Sequence, residues 1–229
     1  MSEHAVNAHH PALRHHFDDL KQQHAAGTLG MWFFLVTEIL FFGPLFFTYA
    51  LFRSGSLDPS FHQAFIAASH HQNIKLGLTN TIVLIASSLT VALGVYFAQT
   101  NKRKALVWML VLTLICGATF LVIKGIEYHE HFAHHLFPGQ NFQWEGAPEL
   151  ARGAQMFYIL YFCMTGLHAF HMVIGIGIFV YILTRAMRND FSPEYYVPVE
   201  VSGLYWHFVD IVWIFLFPML YLIDPASKH

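Results

Sequence analysis

Apolar residues run along this chain in long blocks, each bounded by charge or by turn residues, rather than in the short alternations of a soluble fold. A helix needs about 20 predominantly apolar residues to cross a hydrocarbon core about 30 Å thick. Five blocks meet that length. They cover about residues 29–52, with Glu38 as the only charge, then 76–99 with none, 105–126, 154–184 and 201–223, the last carrying His207 and Asp210. The pattern predicts an all-α, polytopic membrane helical bundle of five transmembrane helices. A polar, His-rich tail occupies residues 1–27, the transmembrane domain spans 28–225, and a short tail covers 226–229. The tail has no apolar h-region, so no cleavable signal is expected and the first span does the targeting.

Lys and Arg set the orientation. The tightest connection, Asn101-Lys102-Arg103-Lys104, carries three consecutive basic residues and is expected on the cytoplasmic side. That places the N-terminus in the cytoplasm with Arg14, Lys21, Arg185 and Arg188, and puts the connection bearing Glu127, Glu130, Glu145 and Glu149 outside. Trp32, Trp108 and Trp206 each fall a few residues into a span from the cytoplasmic side, where indoles anchor. Pro44, after Gly43, frees the Leu40 carbonyl and is expected to bend the first span.

Composition agrees with the membrane reading. Only 11% of the 229 residues are charged, against about a quarter in soluble domains, and 23 Phe suit lipid-facing surfaces better than one soluble core. A net charge of −2 without a basic stripe excludes a nucleic-acid partner. Cys116 and Cys163 lie in apolar runs without metal or redox spacing and read as small buried hydrophobes. The tail histidines (His4, His9, His10, His15, His16, His24) and those beyond the third span (His129, His131, His134, His135) read as solvated clusters rather than metal sites.

Ionisable groups at membrane depth cost about 2.5–3.5 kcal/mol each near the centre, so Glu38, His168, His171, His207 and Asp210 are the candidate site. His168 and His171 are i,i+3 on the fourth span, as are His207 and Asp210 on the fifth. At about 1.5 Å per residue all five fall in the cytoplasmic half. A carboxyl near two imidazoles can share a proton with them. Spacing leaves three uses open: a haem or metal ligand set, a transporter's ion path, or a structural and lipid-binding set within an accessory subunit.

The order of motifs narrows this. Phe34-Leu35-Val36-Thr37-Glu38-Ile39-Leu40-Phe41-Phe42 resembles the acid-bearing helix of subunit III of the haem–copper oxidases, and Asn80-Thr81 with Leu84 and Ser87 resembles the helix after it. Glu127-Tyr128 is similar to the family's Glu-Tyr. The stretch from Thr165 to Gly175, with Gly166, His168, His171 and Gly175, is similar to its Gly-x-His-x-x-His signature. The run from Tyr205 to Trp213, with Trp206, His207, Asp210 and Trp213, is similar to its Trp-His-Phe-x-Asp-x-x-Trp. These matches keep the family's order from about Gly27 to Asp224.

The resemblance implies a cofactor-free accessory subunit of a terminal respiratory oxidase that reduces oxygen to water and pumps protons. Haem and copper belong to partner subunits, and phospholipid is expected to be bound. The implied partners are the haem- and copper-bearing subunit I, subunit II, a small subunit IV where one is present, and membrane lipids. The implied roles are support of proton uptake and protection during turnover, with no catalytic residue in this chain. The family's buried carboxylate maps onto Glu38 and its paired histidines onto His168 and His171. Seven-helix members have two further helices before these five, so the lipid cleft those helices border is absent here or completed by another subunit. Five-helix members imply a bacterial plasma (inner) membrane. The connection Glu127 to Arg152 favours the cytochrome c type, with a quinol oxidase subunit III as the alternative and a nitric-oxide-reductase accessory protein behind it. A transporter fits less well, since no internal repeat is present.

Overall fold

The computed structural model describes residues 13–139 and 142–223. Six α-helices follow in order: α1 Leu20–Arg53, α2 Pro59–His70, α3 Ile74–Gln99, α4 Arg103–Ala133, α5 Ala151–Met187 and α6 Val197–Tyr221. One 3-10 turn, Pro148–Leu150, leads into α5, and no strand is present among the described residues. All except α2 are long and apolar enough to cross a membrane, which bears out the five-span bundle. His4, His9, His10 and the tail at 226–229 lie outside the described residues.

The helices start where their sequences provide caps. Asp19 accepts from the Gln22 N–H, Asp58 from Ser60, and Asn73 from Leu76, each satisfying a backbone donor with no partner inside its helix. Pro59 takes the first position of α2, where a missing N–H costs nothing. Two helices run furthest past the expected spans: α1 begins at Leu20 rather than near Leu29, and α4 continues to Ala133 rather than ending near residue 126. α1 is continuous through Pro44.

α2 is the element that the span pattern omits. It is too short to cross a bilayer, and it buries Phe61, Ala64, Phe65 and Ala68, at helical spacing, against the start of α5. The approach is close: a Cβ on Gly153 of α5 would stand 2.4 Å from the Ala64 Cβ.

α6 is the axis of the bundle, contacting α1, α3 and α5, with Trp206 and Trp213 fully buried. Small residues make room for it. A Cβ on Gly117 of α4 would lie 2.8 Å from the Trp206 ring, and one on Gly175 of α5 3.1 Å from it. Close approach over small residues is how helices associate where lipid removes the hydrophobic drive. α1 stands at the edge, against α6 and part of α5, and exposes Trp32, Phe33, Ile39, Leu40, Phe41 and Phe47. Such an apolar exterior suits lipid contact and would be an aggregation liability in water.

The bundle has two chemically distinct ends. At one end His24, near the start of α1, lies with its Nε2 2.9 Å from Glu200 at the start of α6, and the Arg103 guanidinium at the start of α4 donates to the Ala186 carbonyl at the end of α5. The other end carries α2, Glu130, Glu145 and the start of α5. These are called the basic and acidic ends below.

Candidate functional site

Glu38 on α1 and His171 on α5 meet at 3.0 Å between Oε2 and Nε2. His171 Nδ1 lies 2.9 Å from the Leu167 carbonyl, which can only accept, so Nδ1 carries the hydrogen there. A single proton is then left between Nε2 and the carboxyl. The pair can exist as acid and neutral imidazole or as carboxylate and imidazolium. Tyr205 donates to the His171 carbonyl at 3.0 Å and holds this turn of α5 against α6. The pair forms one wall of a groove of about 650 Å3 whose other walls include Phe34, Phe41, Phe170 and Ile174. One shared proton therefore borders an apolar groove on the outside of the bundle.

The remaining candidates do not join this pair. His168 is buried between the Phe120 and Trp213 rings, 5.3 and 5.2 Å away, and neither ring nitrogen has a hydrogen-bond partner. Asp210 is buried with both carboxylate oxygens unpartnered; the hydroxyl of its polar neighbour Ser88 is engaged with His207 Nδ1 at 2.6 Å. His207 is half-buried and lines a second groove, about 850 Å3, between α1 and α6. The expected sharing of one acid by two imidazoles therefore applies to His171 alone. Three residues along a helix turn about 300°, so the two rings diverge by about 60°, enough to send one outward and the other into the core.

The other motif residues are mostly structural. Trp206 Nε1 donates to Ser87 at 3.0 Å and Trp213 Nε1 to Thr81 at 3.1 Å, tying α6 to α3. Asn80, beside Thr81, is fully buried with both amide atoms unpartnered. Tyr128 bonds Thr165 at 2.6 Å, joining α4 to α5. A Cβ on Gly166 would make only an ordinary contact with Tyr128, whereas Gly175 is needed for the Trp206 ring.

The most highly connected polar group was not among the five expected candidates. Lys124 Nζ donates to Glu127 Oε2 at 3.0 Å, to Tyr161 Oη at 3.0 Å and to Tyr221 Oη at 2.9 Å, using all three of its hydrogens. Tyr161 returns a bond to Glu127 Oε1 at 2.8 Å, and Tyr221 donates to the same oxygen. The ammonium and carboxylate are almost fully buried, and the network clamps α4, α5 and α6 together. An ion pair can survive at such depth only when its remaining valences are satisfied, as they are here. The i,i+3 spacing of Lys124 and Glu127, at the edge of the block 105–126, is the signal the sequence carries for it.

Two expectations need correction. His131 is not part of a solvated cluster: it is buried, with Nε2 3.0 Å from Gln72 Oε1, because α4 extends far enough to place it against α5. Cys163 is exposed on the bundle surface and Cys116 is half-buried, so neither is a core residue; both sit on faces available to lipid. Among the described residues no three His, Cys, Asp or Glu side chains converge so as to hold a metal ion.

Fold and site together define a multi-pass helical membrane protein with two internal polar pairs, Glu38–His171 across α1 and α5 and Lys124–Glu127 on α4 tied to tyrosines of α5 and α6. The chain belongs to the family described as Cytochrome c oxidase subunit III, whose family model matches residues 15–224. It is 33% identical over 197 residues to Cytochrome c oxidase subunit 3 of Corynebacterium diphtheriae, covering 86% of this chain and 88% of that one. It is 28% identical over 203 residues to the protein of the same name from Alkalihalophilus pseudofirmus, covering 87% of each. With Quinol oxidase subunit 3 of Bacillus subtilis it shares 30% over 194 residues, 85% of each chain.

Proposed function

We propose that this chain is the accessory, cofactor-free third subunit of a haem–copper terminal oxidase fed by cytochrome c. It lies in a bacterial plasma membrane with the basic end in the cytoplasm. The observation that carries this reading is the family match across residues 15–224, which leaves almost none of the spanning region outside it. Oxygen chemistry belongs to subunit I, which holds haem and copper, with subunit II delivering electrons. This chain contributes an apolar flank, lipid-facing grooves and the Glu38–His171 proton pair on the half from which protons are drawn. The basic loop at Lys102–Lys104 and the exposed Trp32 and Trp108 support the orientation.

Quinol as donor is the second reading, favoured by the similarity to a protein named as a quinol oxidase subunit at nearly the same identity and coverage. The test is to purify the chain from its native membrane under mild detergent, identify the chains that accompany it and assay metal in each. The expected outcome is a haem- and copper-bearing subunit I and a subunit II with a dicopper thiolate motif. A subunit II without that motif would move the assignment to quinol. Absence of any haem-bearing partner would overturn both readings.

A further inference from the structure

The acidic end of the bundle holds a cavity of about 230 Å3 whose lining includes His71, Glu127, Glu130, His131, His134 and Glu145. A water occupies about 30 Å3 of liquid and settles where two to four polar partners surround it, so this space accommodates several. Glu127 reaches the cavity wall although it is only 1% exposed. Behind it, away from the cavity, stand its partners Lys124, Tyr161 and Tyr221.

Deeper in the bundle the polar route stops. The Trp213 ring lies 5.2 Å from Lys124 Nζ and packs edge-on against Phe120 at 4.8 Å. Trp206 follows, filling the space over Gly117 and Gly175. All three rings are fully buried. A polar inlet from one end therefore terminates on a titratable pair, with an aromatic plug beneath it.

We propose that the Lys124–Glu127 pair is a proton-exchange site open through this cavity to the aqueous phase at the acidic end, and closed toward the basic end. The exchange balances without net charge. A proton passes from the Lys124 ammonium to the Glu127 carboxylate, leaving neutral amine and neutral acid. The acid gives that proton to the cavity water as the same water network returns another to the carboxyl, and the returned proton passes back to the amine. Nothing is oxidised, and the low-dielectric interior never keeps an unpaired charge. The groups facing the pair are Tyr128 on α4, Tyr161 on α5 and Tyr221 on α6, with Glu130 and His131 on α4 and His71 and Glu145 on the flanking segments around the cavity. The site is far along the bundle from the Glu38–His171 pair, and its argument does not depend on the oxidase assignment.

Two measurements on the intact membrane complex test this. In K124M the carboxyl loses its counter-charge and is expected to carry its own proton, giving an infrared C=O stretch absent from wild type and from K124M/E127Q. That band should shift as soon as H2O is replaced by D2O. A band that holds its position for hours in D2O, or no band at all in an assembled K124M complex, would overturn the proposal. The second measurement needs no substitution: hydroxyl radicals generated from water should oxidise His131, which lines the cavity, and spare Trp206, although indole is the more reactive ring. Protection of His131 would mean that water does not enter the cavity, and oxidation of Trp206 would mean that the lower side is open; either result contradicts the site as drawn.

Discussion

Glu38 and His171 are joined across two helices by a single proton, because the other imidazole nitrogen is committed to the Leu167 carbonyl. Asp210, by contrast, lies inside the bundle and lines none of the outer grooves described above. A lipid-soluble carbodiimide, which reacts with the protonated carboxyl, should therefore modify Glu38 first. Peptide mapping of labelled membranes checks this. The label should disappear in E38Q, and label found mainly on Asp210 or Glu127 would contradict the access argument.

The Lys124–Glu127 network yields a stability prediction with a sign. Removing one partner leaves the other without its counter-charge, to be buried unpaired or neutralised, a loss of about 3–5 kcal/mol, whereas replacing both by apolar residues is often close to neutral. K124M and E127L should each lower the melting temperature of the complex sharply, and the double variant should recover much of the loss. Additive losses would mean that the two side chains do not act as a pair.

Helix contact distances predict which glycines are replaceable. An alanine at Gly153 would bring its Cβ to 2.4 Å from the Ala64 Cβ, which cannot swing away, and to 3.1 Å from the Phe61 ring. Overpacking of this kind costs about 1–3 kcal/mol. At Gly43 nothing lies within 4 Å of the added carbon, and alanine favours the helix. Thermal denaturation should show G153A destabilised and G43A unchanged or improved; equal effects would contradict the α2–α5 contact.

These sites differ in how far the sequence exposed them. The five spans were legible because length and hydropathy decide them almost alone, and the ordered motifs sufficed for the family, as the match over residues 15–224 confirms. α2 was not legible from span counting, although Asp58-Pro59 followed by Phe61, Ala64, Phe65 and Ala68 carries both a cap and an apolar stripe. Lys124 does not stand out in the sequence for a physical reason: a lysine near the end of an apolar block usually extends its amine toward water. Here α4 runs nine residues beyond it, to Ala133, and three oxygens, one from Glu127 on the same helix and two from tyrosines of α5 and α6, replace that water. Helical spacing placed His168 and His171 on one face but could not tell that aromatic rings would enclose the first and a carboxylate meet the second.

Outside the spans, Asp58 links the start of α2 to pH. The Ser60 backbone N–H that it caps holds its carboxyl below the ordinary carboxylate value. With the folded value depressed, the cap's contribution is complete above about pH 3.9, the unperturbed value, and is lost as pH falls through the lower folded value. Amide protection in the first turn of α2, measured relative to the intrinsic exchange rate at each pH, should fall only in that acidic range, and D58A should show the reduced protection at every pH. Protection in D58A equal to wild type would remove the cap from the account.

The central claim is that this chain supports a partner's oxygen chemistry without carrying it. The direct measurement is oxygen consumption by the oxidase with and without this subunit, followed over successive turnovers from mildly acidic to mildly alkaline pH at saturating donor. The stripped complex is predicted to start near its normal rate, to slow as pH rises because proton supply becomes limiting, and to inactivate after fewer turnovers. Immediate and total loss of activity at every pH would contradict the account by assigning an essential catalytic group to this chain. Identical rates and lifetimes with and without the subunit would contradict it from the opposite side.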